Sequence, residues 1–210
     1  PRSSSAASDV YKRQAEKTLI PEDDPKRLFS LAKRSNDFLT KRAKDQKPFF
    51  LYISHYALHV RNMSLKSTRR KYLDIVAERA GIKEKIPDIS RFDANANEMP
   101  PKLRNHWEKA NYAAMMENMD TSIGMVLDKL SELGLEENTY VIFSSDNGGG
   151  DTNAPLQGGK ARMWEGGIRV PMIVAGPKVP ANSQCDKPVA QWDYLTLSLI
   201  HISEPTRLSA

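Results

Sequence analysis

The sequence predicts an α/β fold with a mostly parallel sheet flanked by helices. Short runs of β-branched and aromatic residues alternate with charged amphipathic segments, and one of those segments has the apolar spacing of a single long helix. The resulting order of strand, helix, strand, loop and strand is typical of a sheet covered by helices. The 210 residues, 40% hydrophobic and 27% charged, are enough to bury a sizeable core, and they contain no apolar run long enough to span a membrane.

The first half of the chain predicts a helix, a strand and a second helix. Residues 25–47 place apolar side chains on one helical face, with Asp24 suited to the N-cap and Pro25 to the first turn. The run KPFFLYIS at 47–54 predicts a buried strand. Residues 66–80 predict a basic helix, and the proline-containing residues 81–105 predict an irregular surface excursion.

The second half predicts one long helix followed by two strands. From 107 to 133 apolar residues recur at intervals of three and four, and Gly134 suits the position after the helix end. We expect this apolar stripe to face the core, and its methionines to pack there as well: Tyr112, Met115, Met116, Met119, Ile123, Met125, Val126, Leu130 and Leu133. Residues 139–145 and 169–176 predict strands, and a glycine-rich loop lies between them.

Charge and cysteine content exclude several classes of protein. The net charge is +5, with Lys and Arg scattered among Asp and Glu, a pattern that does not indicate nucleic-acid binding. A single cysteine excludes an internal disulfide framework and a multi-cysteine metal site. The first residues contain no apolar stretch typical of a signal peptide.

Both ends of the chain resemble translated sequencing adapters, SSAASDVYKRQ at 4–14 and LSLIHISEPTR at 197–207. We therefore interpret 1–14 and 197–210 as artefacts of an untrimmed metagenomic read, and 15–196 as the natural part, so that removing both ends is expected to leave the fold unchanged. The alternative is a low-complexity tail and a short amphipathic C-terminal segment. The histidines of the natural part are His55, His59 and His106.

Two loops that leave predicted strands carry polar residues. His55 and His59 follow the strand at 47–54, and Asp146 and Asn147 follow the strand at 139–145. Sites in α/β sheets form at the carboxyl ends of strands. Carboxylate and amide oxygens suit Ca²⁺ or Mg²⁺ and not zinc, although Asp-Asn-Gly is also a common turn.

Four stretches of the chain form recognisable motifs: PFFLYISHYALH at 48–59, the segment 112–149 that ends in SSDNGG, PLQGGKARMWEGGIRVP at 155–171, and AQWDYLT at 190–196. Together they are similar to the sulfatase family, the arylsulfatase-type branch of the alkaline phosphatase superfamily. The resemblance implies an alkaline-phosphatase-like fold, of which 15–196 are an incomplete, C-terminal part of the catalytic domain.

The resemblance also implies roles for individual residues. Asp146 and Asn147 match a pair of calcium ligands, Lys160 matches the lysine that contacts the sulfate group and the ester oxygen, and His59, rather than His55, matches a histidine that faces the sulfate. Each has an alternative: Lys160 as a solvated loop lysine, and His59 as a capping or core histidine. In the same motif Glu165 and Arg169 are expected to form a structural ion pair, while Trp164 either lines the substrate mouth or packs.

The family's nucleophile is a formylglycine made from Cys or Ser in a C/S-x-P/A-x-R motif, which the resemblance places upstream of this chain together with further calcium ligands. No nucleophile is assigned here. Cys185 lies too late in the chain and without the required Arg, and we expect a buried thiol or half of a disulfide there. The chain is therefore expected to be inactive alone, and the full-length protein to need a maturation enzyme.

The function implied is calcium-dependent hydrolysis of sulfate esters, in a sulfated small molecule or polysaccharide, by a periplasmic or extracellular protein. The alternatives are a phosphodiesterase or phosphonate hydrolase of the same superfamily, a sulfotransfer role, and a catalytically dead sulfate-binding relative. Asn147 favours the sulfatase, because the phosphodiesterase relatives generally resemble SDHG at this strand end.

Overall fold

The computed structural model describes residues 23–45, 47–59, 61–83, 86, 101–150 and 153–194, in two units that divide after Thr139. The first unit contains α1 (Leu28–Asp45), α2 (Lys66–Arg79), α3 (Pro101–Glu132) and 3₁₀ turns at Pro25–Arg27 and Glu136–Asn138. The second contains β1 (Val141–Ser144), α4 (Glu165–Ile168) and β2 (Met172–Ala175). The end segments 1–14 and 197–210 lie outside the described residues.

Helix α1 begins at Leu28, three residues later than predicted, and the side chain of Asp24 caps it. The Asp24 carboxylate accepts hydrogen bonds from the backbone N–H groups of Phe29 at 2.8 Å and Ser30 at 3.2 Å. These N–H groups have no partner inside the first turn of a helix, so the carboxylate satisfies them and complements the positive end of the helix. Asp24 thus caps α1 through its side chain, but it precedes the 3₁₀ turn at Pro25–Arg27 and does not occupy the predicted N-cap position directly before the α-helix.

Helix α3 is the centre of the first unit, because α1 and α2 both pack on it. It begins at Pro101, inside the predicted surface excursion, and ends as predicted: Gly134 has a φ of +64°, and the N–H of Leu135 bonds to the carbonyl of Leu130 at 3.0 Å. The rest of the excursion, apart from 81–83 and 86, lies outside the described residues. One buried cluster joins α2, α3 and Ile86: Leu73, Ala77, Ile86, Leu103, Trp107 and Ala110.

The predicted core face of α3 is wrong in part. Tyr112 and Met116 are exposed by 41% and 44%, whereas Met115, Asn118 and Ser122 are buried. The polar members of the buried face are satisfied, since Ser122 donates to the carbonyl of Leu28 at 2.8 Å. A buried helix face that contains hydrogen-bonded polar residues cannot be identified from the spacing of hydrophobic residues.

A polar seam runs between the start of α2 and the middle of α3. Ser64 donates to the side chain of Asn111 at 2.6 Å, and the N–H of Leu65 donates to Asn118 at 2.8 Å. Asn118 in turn donates to Thr68 at 3.0 Å. These bonds hold the two helices in one register, because any slip leaves buried polar groups without partners.

Residues 47–56 are extended but form no ladder with any described residue, so the predicted strand is not present as such. Residues 49, 51, 53 and 55 are half-buried, and residues 50, 52, 54 and 56 are exposed. A strand that packs one of its two faces against the protein shows this alternation. The Phe49 ring packs edge-on against Phe38 of α1, with centroids 5.9 Å apart. The apolar run at 47–54 predicts strand-like alternation, but a β-strand also requires a neighbouring strand with which to form backbone hydrogen bonds.

In the second unit β1 and β2 pair antiparallel, with Val141 opposite Ala175 and Ser144 opposite Met172. The prediction of a mostly parallel sheet does not hold for this pair. A parallel pair needs a crossover that carries the chain back along the whole sheet, usually a helix. The connection at 145–171 has, in its described part, only the four-residue α4. Among the described residues no helix is long and apolar enough to cross a membrane.

Candidate functional site

The turn after β1 presents the two predicted calcium ligands. Asp146 is exposed and Asn147 is half-buried. The Ser145 hydroxyl donates to the carbonyl of Asn147 at 2.9 Å, and the N–H of Gly148 donates to the carbonyl of Gly167 at 3.0 Å. The backbone of this turn is therefore fixed on both sides, while the acidic side chain reaches solvent.

The loop that carries Lys160 is joined to this turn by the backbone. The N–H of Lys160 donates to the carbonyl of Gly149 at 2.8 Å. The amide of Asn153 donates to the carbonyl of Gly149 at 3.1 Å and to that of Gly166 at 2.7 Å. The structure thus brings Asp146, Asn147 and Lys160 into one loop cluster.

Glycines make this close approach possible. A Cβ added to Gly148 would collide with the carbonyl oxygen of Gly166, and one added to Gly166 would collide with that of Gly158. Side chains at these two positions would push the two loops apart. The glycine-rich composition is therefore a packing requirement of the cluster, rather than a sign of mobility.

The donor set of the turn fits a hard cation in part. The Asp146 carboxylate and the Asn147 amide form no hydrogen bond or ion pair with any described residue, and so their oxygens are available. Within the described ranges no group of three or more His, Cys, Asp or Glu side chains is placed to hold a metal ion. Two oxygens are fewer than the six to eight that Ca²⁺ takes.

Two residues that the sequence analysis did not single out fix the cluster. Asn153 joins the turn to the Lys160 loop, as described above. Gln191 donates to the carbonyl of Ser145 at 2.6 Å, which ties the segment after β2 to the residue before Asp146. An asparagine beside a glycine-rich loop was the available signal for the first, and the AQWDYLT segment at 190–196, which contains Gln191, was the signal for the second.

The two candidate histidines in the first unit have different environments. His55 is on the half-buried face of the extended segment, burial lowers its pKa, and its Nδ1 atom has no hydrogen-bond partner. His59 is exposed and follows a turn closed by its N–H and the carbonyl of Tyr56 at 3.0 Å. Its ring lies 5.3 Å from that of Tyr56. Of the two, His59 is the one at the surface.

Three expectations about neighbouring residues are decided. Glu165 and Arg169 form no ion pair; the N–H of Arg169 instead donates to the carbonyl of Glu165 at 2.8 Å, as part of α4. Cys185 is exposed, so the expectation of a buried thiol is wrong. Trp164 packs with one edge against Gly158, while 55% of the residue is exposed; a place at the substrate mouth stays a prediction.

The nucleophile pattern C/S-x-P/A-x-R occurs in the chain twice, a fact that the sequence analysis overlooked. SEPTR at 203–207 lies outside the described residues, and SLAKR at 30–34 lies in the first turns of α1. The hydroxyl of Ser30 donates to the carbonyl of Arg27 at 3.3 Å. Only three positions of this pattern are specified, so it carries little weight at these places in the chain.

Known proteins resemble the chain in sequence and in structure. The profile of the Sulfatase family matches residues 2–202. An ulvan-active sulfatase of Formosa agariphila is 32% identical over 155 residues, which are 72% of this chain and 27% of that protein. The steryl-sulfatase of Homo sapiens is 39% identical over 95 residues, 39% of this chain and 16% of that protein.

A crystal structure of Ps i-CgsB in complex with k-i-k-neocarrahexaose superimposes with a TM-score of 0.60 at 26% identity, over 85% of this chain and 35% of that one. The structural similarity confirms the predicted α/β class, an alkaline-phosphatase-like fold. The chain spans about a quarter of the length of the Formosa agariphila relative.

Proposed function

The chain belongs to the sulfatase family, and from that membership we propose that the full-length protein hydrolyses sulfuric esters. The observation that carries the proposal is the hydrogen-bonded cluster of the Asp146–Asn147 turn and the Lys160 loop. It presents hard oxygen donors and an ammonium group from one rigid backbone arrangement, which is what binding an anionic ester beside a divalent cation requires.

Lys160 and His59 are proposed to act on the sulfate group. A sulfate ester is an anion, and in its transition state negative charge spreads over the sulfate oxygens and onto the departing oxygen. The Lys160 ammonium contacts the sulfate and the ester oxygen, and the His59 imidazole donates to the sulfate. Such groups neutralise the developing charge and protonate the leaving oxygen. Both side chains are exposed, as contact with a substrate requires.

Asp146 and Asn147 are proposed to hold a calcium ion. When bound, the ion supplies positive charge that orients the sulfate group and polarises it. The remaining ligands, and the formylglycine nucleophile, come from outside the residues assigned here. A maturation enzyme that produces formylglycine is accordingly a proposed partner of the full-length protein.

The proposed substrate class is a sulfated polysaccharide or a fragment of one. The Formosa agariphila relative is an ulvan-active sulfatase, and the Ps i-CgsB structure contains a neocarrahexaose. Both names refer to carbohydrates, and these matches cover 72% and 85% of this chain, whereas the steryl-sulfatase match covers 39%. The larger coverage supports a saccharide over a steroid. Substrates of this size place the enzyme in the periplasm or outside the cell.

The proposal is tested in the full-length enzyme, co-expressed with a maturation enzyme and supplied with Ca²⁺. Replacing Lys160 or His59 by Ala is expected to lower kcat/KM for an aryl sulfate by about a hundredfold or more, because each removes one preorganised donor. Lys187→Ala, at an exposed lysine of the same unit, is the matched control and is expected to keep full activity. Full activity in Lys160→Ala would show that the mechanism is wrong.

A further inference from the structure

Lys26 is a buried cation for which the proposed mechanism has no use. The residue is only 8% exposed and lies in the 3₁₀ turn before α1, with a φ of +54°. Its ammonium forms no ion pair with any described carboxylate, and the nearest acid in sequence, Asp24, is occupied by the N–H groups of α1. A charge in this position is costly unless another group neutralises it.

The groups around Lys26 are aromatic or cationic. Its ammonium lies 4.5 Å from the centroid of the Tyr56 ring, a cation–π contact, and the same ring contacts the imidazole of His59. The Arg61 guanidinium is near enough to act on Lys26, and burial and this second positive charge lower the pKa of Lys26 to about 8. At neutral pH the lysine therefore remains mostly charged.

Three members of this arrangement reach solvent, whereas Lys26 is buried. Tyr56 is 54% exposed, and His59 and Arg61 are exposed as well. All four residues lie in the first unit, so the arrangement does not depend on the Asp146 cluster. We define Lys26, Tyr56, His59 and Arg61 as the cationic recess.

We propose that the cationic recess binds a second anionic group of the substrate, a sulfate or carboxylate next to the ester that is cleaved. This inference rests on the proposed function, because it takes His59 as the contact to the reacting sulfate. Lys26 and Arg61 then hold the neighbouring group, with the Tyr56 ring between them and His59. The recess selects saccharides that carry more than one negative charge, and the bound anion supplies a counter-charge that no described residue gives Lys26.

The test uses this chain itself, because the recess lies within its first unit. Binding of galactose 2,6-disulfate and of galactose 6-sulfate is measured by isothermal titration calorimetry at pH 7 and constant ionic strength. We expect the disulfate to bind about tenfold more tightly, the difference that one additional charge-assisted contact supplies. Lys26→Gln and Arg61→Gln are each expected to remove the preference. Circular dichroism shows whether each variant is folded.

Lys33→Gln, which removes an exposed lysine of α1, is the control for net charge and is expected to keep the preference. The proposal would be overturned by equal affinity for the two sugars or by absence of binding. It would also be overturned if Lys33→Gln lost the preference for the disulfate to the same extent, since that result would indicate general electrostatic attraction. The Arg61→Gln variant retains the buried lysine, so it decides the question if Lys26→Gln does not fold. An aryl sulfate carries no second anionic group, so the assay of the full-length enzyme tests the proposed function without depending on the cationic recess.

Discussion

Single glycines determine whether the Lys160 loop can lie against the Asp146 turn. Gly166→Ala is expected to lower the free energy of unfolding by about 1–3 kcal/mol, because the new methyl group meets the carbonyls of Gln157 and Gly158. Gly150→Ala, with open space around its Cα, is the control and is expected to change it by less than about 0.5 kcal/mol. Urea denaturation compares the two. Similar stability of both variants would mean that the loops are not in close contact.

Lys26 makes stability depend on pH in a direction opposite to that of a lysine held in an ion pair. Its pKa in the folded protein is about 8, below its ordinary value of 10.5. Folding therefore disfavours the charged form: the penalty is fully present below pH 8 and disappears as the pH rises toward 10.5. Lys26→Met is expected to raise Tm by about 2–4 °C at pH 7.

The difference in Tm between Lys26→Met and the wild type is expected to shrink steadily above pH 8. Thermal melts from pH 6 to pH 10 measure it, and Lys33→Met, at an exposed position, controls for the loss of a charge. A difference that does not vary with pH would show that Lys26 is not perturbed by its surroundings.

Among the elements, α3 shows both what sequence periodicity predicts and where it fails. Its existence and its end at Gly134 follow from apolar spacing and from a glycine in the left-handed region. Its buried face does not, because Asn111, Asn118 and Ser122 occupy it. The partners that satisfy them come from residues far away in sequence, which a helical pattern does not contain.

The polar seam is expected to contribute measurably to stability. Asn118→Ala removes the acceptor of the Leu65 N–H and the donor to Thr68, and we expect a loss of about 1–3 kcal/mol from groups left buried and unpaired. Asp120→Ala, at an exposed position of the same helix, is the control. Circular dichroism at 222 nm during urea denaturation reports mainly on the long helices. Equal midpoints for the two variants would contradict this role.

For the molecule as a whole, the motifs identified loops that lie together, whereas the element pattern did not predict how the strands pair. Asp146, Asn147 and Lys160 were assigned from short motifs, and the structure places them in one cluster. Whether β1 and β2 pair parallel or antiparallel depends instead on the path of the connection at 145–171, and the spacing of residues in the sequence does not specify that path. His59 belongs to the other unit, and its role is still a prediction.

This chain alone is expected to bind Ca²⁺ weakly and to hydrolyse no detectable aryl sulfate. Asp146 and Asn147 supply two oxygen ligands of roughly six to eight, and no nucleophile is assigned for a covalent intermediate. Calorimetry with Ca²⁺ and a sulfate-release assay measure both properties, with the full-length, matured enzyme as the positive control. Turnover by this chain that disappears in Ser30→Ala would identify a nucleophile where we assign none.

The extended segment at 47–56 has a consequence for the chain in solution. Residues 47–54 make no backbone ladder with the described part of the protein, and Phe50 and Tyr52 are exposed by 66% and 78%. Residues 49–54, FFLYIS, are β-prone and uncharged, and such a stretch with unpaired edges is a template for pairing between molecules. Self-association of this chain at high concentration is therefore expected to begin at this segment, and a lysine in place of Tyr52 is expected to suppress it.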